Sequence, residues 1–231
     1  MNTFITRTDI INKLIKYHNL KSYLEIGLCN PIYNFCKIDC DFKESCDPFI
    51  YDPSVDGIND KDINWAFTEN GELKKGIADF LTYRLTSDEL FAMAPYDKKW
   101  DIIFIDGLHF KEQVTKDILN AMKHLNEGGF IVVHDCLPQQ EEYQRRDRND
   151  IHWNGDVWKA VARLGELGMK FNTCDTDEGI AVIPYQKFDN VLRSSKCFDT
   201  EHLTYAYFDE NYVELMHVTA YDDIEEFLMN C

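Results

Sequence analysis

The sequence predicts an α/β protein whose mostly parallel sheet is covered by helices on both faces. Two observations lead there. Short apolar runs alternate along the chain with longer amphipathic segments, the order of strands joined by crossover helices. The runs "YLEI", "IIFI" and "FIVV" are nearly continuous rather than alternating, as strands buried on both faces require. A third observation concerns use: polar residues cluster just after the runs, where ligands sit in such sheets.

The elements follow in order. Thr8 is placed to cap a helix whose Ile10, Ile11, Leu14, Ile15 and Tyr17 recur at helical spacing. "KSYLEIG" (21–27) reads as a buried strand ended by glycine, followed by a short helix near 32–38 and a second strand ending at "CDP" (46–48). Residues 52–78 are polar and carry no usable pattern. A strand over 79–85 precedes a helix capped by Thr86 or Ser87, and with Thr86 as the cap, Glu89 completes a capping box. "WDIIFID" is a strand, "KEQVTKDILNAMKHL" a helix with Val114, Ile118, Met122 and Leu125 on one face, and "GGFIVVHD" a strand. The loop over 136–152 is longer than a simple connector and is expected to act as a lid. "GDVWKAVARLGEL" is helical, "MKFNTCDT" and "GIAVIPY" are strands, and the tail from 187 ends in helices. The expected organisation is one α/β domain over 1–185, with an acidic, helical extension over 186–231 packed on it.

Charge limits the partners. The 231 residues carry a formal net charge of −17, which argues against a nucleic-acid or anionic-membrane partner. The dense basic stretch "RRDR" (145–148) reads as a solvated loop. The N-terminus lacks the apolar core of a secretion signal, and no apolar run reaches the ~20 residues that span a bilayer. A cytoplasmic location is therefore expected, with the eight cysteines mostly as reduced, buried thiols. Cys29, Cys36, Cys40 and Cys46 lie close together but lack the CxxC spacing of a zinc knuckle. A homo-oligomer is compatible with all of this.

Glu25, Asp47, Ser87, Asp88, Asp106, His109, His134 and Asp135 all fall at or just after predicted strand ends. Independent polar punctuation at successive strand ends is a site signal.

"YLEIG", "DIIFIDGLHFKEQVTKDILNAMKHLNEGGFIVVHDC" and "WNGDVWKA" together resemble class I S-adenosylmethionine-dependent methyltransferases, in the branch associated with sugar and glycan pathways. The resemblance runs over about 7–185, with a weaker echo in "LTYAYFDENYVELM". It implies a Rossmann-like, seven-stranded fold and S-adenosylmethionine as cofactor. Glu25 and Gly27 would form the first cofactor loop, Asp47 would accept from the ribose hydroxyls, Ser87 and Asp88 would border the adenine, and Asp106 would stand where cofactor and acceptor meet. One departure is visible. Asn30 and Pro31 stand where the family's loop is glycine-rich, and the full glycine pattern of a dinucleotide fold is absent.

The implied reaction is O-methylation of a small polar acceptor, such as a sugar hydroxyl in glycan biosynthesis. His109 is the leading candidate base, because an imidazole titrates near working pH. Asp106, His134 and Asp135 are further catalytic candidates. Asp106 and Asp135 could hold a divalent metal, although His134 stands where relatives carry a carboxylate, which leans the reading toward metal-free chemistry. Trp153, Asn154 and Asp156 are candidates for the acceptor wall, and Asn154 and Asp156 could equally cap the following helix. Two other readings stay open: a non-catalytic cofactor-binding protein of the same fold, and a nucleotide-dependent sugar-modifying enzyme of another reaction class.

Overall fold

The protein is described by a computed structural model covering residues 4–49, 80–147, 152–187 and 194–231. The segment 52–78 lies outside the described residues. The elements are α1 (Arg7–His18), β1 (Ser22–Ile26), β2 (Phe42–Cys46), α2 (Ser87–Met93), β3 (Trp100–Ile105), α3 (Lys111–Lys123) and β4 (Leu125–Val133), then α4 (Val157–Glu166), β5 (Asn172–Cys174), β6 (Ile180–Pro184), α5 (Tyr205–Leu215), β7 (Val218–Thr219) and α6 (Ile224–Asn230).

Among the described residues the strands form one seven-stranded sheet in the order β2-β1-β3-β4-β6-β5-β7. β1 pairs in parallel with β2 and β3, and β3 with β4, whereas β6 runs antiparallel to both β4 and β5. This is a Rossmann-like α/β arrangement. The chain reverses direction between β2 and β3, so the carboxyl ends of β1 and β3 meet at the switch point.

Strand geometry explains the two cores. Successive side chains point to opposite faces, so Ile103 and Ile105 join Leu24, Ile131 and Val133 beneath α3 and α4. Ile102 and Phe104 join Tyr23, Phe130 and Val132 beneath α1 and α6 on the other face. Burying each such side chain contributes about 1.5–3 kcal/mol, which commits β3 to the centre of the sheet.

Several expectations are corrected. Helix α1 starts two residues early: Thr6, not Thr8, is its cap, in a reciprocal box with Asp9. Thr8 is instead buried, and its hydroxyl donates to Asn34 Oδ1 at 2.8 Å. The short helix expected near 32–38 is a single 3-10 turn, Phe35–Lys37. The strand expected over 79–85 is reduced, among its described residues, to one parallel bridge between Tyr83 and Cys46. The Thr86–Glu89 capping box on α2 is present. The tail is not only helical, because β7 pairs in parallel with β5. The tail also packs through Glu225 on Lys13 and Tyr17 of α1, and through Phe208 on Trp158 at a ring separation of 4.6 Å. None of the eight cysteines is in a disulfide, and Cys29 and Cys36 are exposed rather than buried. No helix among the described residues is long and apolar enough to cross a membrane.

Candidate active site

The site is made by the level carboxyl ends of three strands. Ile26 is paired with Ile105 and Ile105 with Val133, so the residues that follow emerge side by side. Asp106 N donates to Ile26 O at 2.9 Å, and His134 N to Ile105 O at 3.2 Å. Gly27 makes this approach possible. Its φ is +90°, and a Cβ there would lie 2.1 Å from the Asp106 carbonyl oxygen. Asp135 also adopts the left-handed region, at φ 62°, which an aspartate tolerates better than most residues.

These ends open into a cleft of about 360 Å³ bordered by Arg7, Glu25, Asp106, His109, His134 and Asp135, among others. His109 Nε2 lies 3.3 Å from Asp106 Oδ1 and 3.4 Å from Asp135 Oδ2. Its Nδ1 is 3.0 Å from the Trp153 carbonyl oxygen, and the ring stacks on the Trp153 indole at 4.5 Å. With Nδ1–H donated to that carbonyl, Nε2 is the nitrogen left for chemistry. His134 Nδ1 contacts Asp135 Oδ2 at 2.9 Å and Asp106 Oδ1 at 3.5 Å. Arg7 Nη1 lies 3.0 and 2.8 Å from the two ring nitrogens of His134. An atom so nearly equidistant from both cannot lie in the ring plane without striking the carbon between them, so the guanidinium sits over the imidazole face.

Charge in the cleft is closely matched. Asp106, Asp135 and Asp177 face Arg7, His109 and His134. Burial favours the neutral form of Asp106, but the charge of His134, the His109 and His134 hydrogen bonds and Arg7 hold its pKa well below the ordinary value. Burial also opposes the charged form of His109, yet Asp135 and Asp106 outweigh it and raise its pKa above 6.5. The same balance raises His134 further. Glu25 behaves differently. It is buried between Tyr23 OH and Asn34 Nδ2, and burial pushes its pKa up to about 8. Burial thus disfavours charge on Glu25, and the charged pairs around His109 carry the field in the cleft.

A second cavity, of about 490 Å³, adjoins the first across Gly27, Asp106 and Gly107. Its walls include Ile26, Pro48, Phe49 and Leu108, with Asp47, Ser87 and Asp88 on its border. Asp47 Oδ1 accepts from Phe49 N at 2.9 Å and Oδ2 from Cys29 N at 3.1 Å. These bonds fix the carboxylate and still leave each oxygen a lone pair. Burial lifts its pKa in spite of those donors. Ser87 and Asp88 are tied down by Gln113 Nε2, at 3.1 Å each, and Asp88 also pairs with Lys116.

The three residues proposed for the acceptor wall separate. Trp153 borders the cleft, but one face of its indole is already covered by His109. Asn154 is buried, and its Nδ2 donates to Asp135 Oδ1 at 2.9 Å and Glu178 Oε2 at 2.8 Å, which makes it a brace. Asp156 does not border the cleft. Its Oδ1 accepts from Lys111 N at 2.7 Å, so it caps α3 rather than its own helix, and Oδ2 faces Arg146. Gly155 permits this packing, since a Cβ there would lie 2.0 Å from the His109 carbonyl oxygen. The described part of the 136–152 loop is held against this segment: Tyr143 O accepts from Asn154 N and Gly155 N. Arg146 of "RRDR" is not simply solvated, because it forms a two-pronged pair with Glu112.

Sequence reasoning missed Arg7, Asp177 and Glu178. Arg7 begins α1 far from any strand end, and its backbone N–H donates to Asp177 Oδ2 at 2.8 Å across 170 residues. Asp177 and Glu178 form the tip between β5 and β6, where both have positive φ, 45° and 63°. Both lie between the expected strands "MKFNTCDT" and "GIAVIPY", and only the antiparallel placement of β6 beside β4 brings that turn to the cleft.

Asp106, His134 and Asp135 each offer one ligand atom, all within 4.8 Å of one another, a spacing that could hold a cation. The mixed oxygen and nitrogen donors suit manganese or zinc better than magnesium. Arg7 already brings a fixed positive charge to these groups, with Nη1 3.7 Å from Asp106 Oδ2.

Residues 39–136, which contain β2, β3, β4 and the strand-end residues Asp106, His109, His134 and Asp135, match the family model described as a methyltransferase domain. That matched segment lies within the Rossmann-like sheet described above. No curated protein matches the chain. Solved structures similar to it include the O-methyltransferase TomG from Streptomyces achromogenes, involved in tomaymycin synthesis and in complex with SAM, at 13% identity over 77% of this chain and 78% of that chain, with a TM-score of 0.47. An O-methyltransferase from Bacillus cereus in complex with SAH has 14% identity over 80% and 84%, with a TM-score of 0.47. The SAH-bound Podospora anserina methyltransferase PaMTH1 has 15% identity over 76% of each chain, with a TM-score of 0.48.

Proposed function

We propose that the protein is an S-adenosylmethionine-dependent O-methyltransferase acting on a small polar acceptor, which we read as a sugar hydroxyl. One observation carries the reading: an apolar cavity with a fixed carboxylate at a strand end opens, across Gly27, Asp106 and Gly107, onto a polar cleft holding an ion-paired histidine. The first compartment suits a nucleoside, with apolar walls for the purine and Asp47 for the ribose diol. The cofactor would supply an electrophilic methyl group on a sulfonium. Ser87 and Asp88 would border the base, and Glu25 would stand on the cleft side of Gly27.

The cleft does the acid–base work. His109 Nε2 takes the proton of the acceptor hydroxyl, and Asp106 and Asp135 hold the resulting imidazolium in place. Trp153 fixes the ring's plane and, through its carbonyl, its tautomer. His134, packed under Arg7, orients Asp106 and Asp135. A divalent ion, where used, would be held by Asp106, His134 and Asp135 and would lower the acceptor's pKa. Arg7 over His134 favours the reading without one. The carboxylates of the cleft accept hydrogen bonds from hydroxyls, which supports a sugar-like acceptor.

Calorimetry of the full chain with S-adenosylhomocysteine tests the reading. Saturable one-site binding is expected, and no heat of binding from folded protein would overturn it. The same titration with NAD separates the nucleotide-dependent alternative.

A further inference from the structure

A third cavity, of about 590 Å³, lies between helix α5 and the turn joining β5 to β6. Helix α5 presents Tyr205, Phe208, Asp209 and Tyr212 to it, the i, i+3, i+4, i+7 spacing of one helix face. Phe208 is buried on Trp158 and anchors that face, with Tyr205 and Tyr212 each 5.8 Å from its ring. Opposite them stand Asp175, Asp177 and Glu178. Among the described residues, no lysine, arginine or histidine borders this cavity.

The cavity adjoins the active-site cleft. Asp177 and Glu178 border both spaces, and their consecutive left-handed conformations set them as the divide. Two successive non-glycine residues in that region are costly, and such strain persists where the surroundings enforce it. Here the Arg7 backbone N–H holds Asp177, and Asn154 holds Glu178. Asp175 and Asp209 are both exposed toward solvent.

We propose that the acceptor is longer than the unit that is methylated, and that its second ring lies in this cavity, recognised as a hydroxylated ring that donates hydrogen bonds and bears no negative charge. The proposal rests on the methyltransferase reading and adds the substrate's length and charge to it. Aromatic side chains pack on the ring's C–H face, while carboxylates, which only accept, take its hydroxyl or amino protons. Asp177 and Glu178 already face His134 and His152, but a phosphate or carboxylate at this position would also meet Asp175 and Asp209, beside which no described basic residue lines the cavity. The C-terminal tail thereby becomes part of the acceptor site.

The test is a printed glycan array probed with the full chain saturated with S-adenosylhomocysteine. Retention is expected on neutral or amine-bearing glycans of two or more rings, and not on single rings or on uronate- or phosphate-bearing counterparts. Tyr212→Ala and Asp209→Asn, both at exposed positions, should each lower retention about fivefold or more, with affinity for S-adenosylhomocysteine within about twofold of the parent. Retention that ignores both substitutions, a preference for the anionic glycans, or no retention by a chain that binds S-adenosylhomocysteine would each overturn the proposal. Failure to bind S-adenosylhomocysteine would instead overturn the methyltransferase reading on which it rests.

Discussion

The two compartments that meet at Gly27 and Asp106 are built on opposite principles. The cavity beside Asp47 works by shape: most of its wall is apolar, and its fixed carboxylate is held by two backbone N–H groups. The cleft beside His109 works by charge: three carboxylates, an arginine and two histidines sit within ion-pair reach of one another. Damage to the first should therefore be felt in binding, and damage to the second in turnover. Only at their shared border should one substitution strike both.

Gly27→Ala is the substitution expected to do that, and it has the largest effect. The new Cβ would collide with the Asp106 backbone at a φ an alanine avoids, so β1 and β3 could not keep their spacing. A stability loss of about 3 kcal/mol or more is expected in urea unfolding, together with loss of S-adenosylhomocysteine binding. A stable variant that binds normally would show that the border is not rigid.

His109→Ala comes next and should divide the compartments cleanly. Turnover should fall about 10²–10⁴-fold, the usual contribution of a positioned base, while cofactor affinity stays within about twofold. Equal loss of both would move His109 into the cofactor site. The pH profile sharpens this prediction. Burial works against the imidazolium, but Asp135 and Asp106 raise the folded pKa above 6.5, so the neutral base appears only at higher pH. The rate should climb through a limb centred above 6.5, and the variant should lack that limb. Stability runs the other way. A raised histidine pKa contributes stability that is fully present below 6.5 and is lost as pH rises through the folded value. A parent enzyme most active where it is slightly less stable is the expected pattern, and a rate limb centred below 6.5 would contradict it.

Asp47→Asn should produce a smaller effect, confined to the shape-built side. The amide keeps one acceptor oxygen but loses the paired acceptor that suits a diol. The dissociation constant for S-adenosylhomocysteine should rise about tenfold, with turnover at saturation nearly unchanged. A fall in turnover without a change in affinity would place Asp47 in the chemistry instead.

The same contrast explains what could be read from the sequence. Asp106, His109, His134 and Asp135 were legible because each follows an apolar run, and the rule that parallel strands deliver ligand residues at their carboxyl ends needs no knowledge of long-range contacts. The capping box at Thr86 was legible for the same local reason. Arg7 was not: nothing in "ITRTD" says that the first turn of α1 lies over His134, and only tertiary packing across 127 residues puts it there. The strand expected over 79–85 had the right composition but forms only the Tyr83 bridge among its described residues, because pairing depends on a partner edge as well as on propensity. β7, two residues long, carries too little pattern to be read at all.

Asp156 gives the smallest effect and tests how far such reading can go. "WNGDVWKA" offered it as a cap of its own helix or as part of the acceptor wall, and the structure gives it a third role. Its carboxylate closes the first turn of α3, 45 residues earlier in the chain, and its backbone N–H meets the His109 carbonyl at 3.1 Å. Asp156 therefore holds the segment that carries His109 without bordering the cleft. Asp156→Ala should cost about 1–2 kcal/mol of stability, as the loss of a helix cap does. Its effect on the Michaelis constant for acceptor should be within about twofold, because the side chain touches no ligand. Asp156→Asn, which keeps an oxygen for Lys111 N, should recover most of the stability. A large rise in the acceptor's Michaelis constant with unchanged stability would return Asp156 to the acceptor wall and break the division between the residue that holds the base and the residues that meet the substrate.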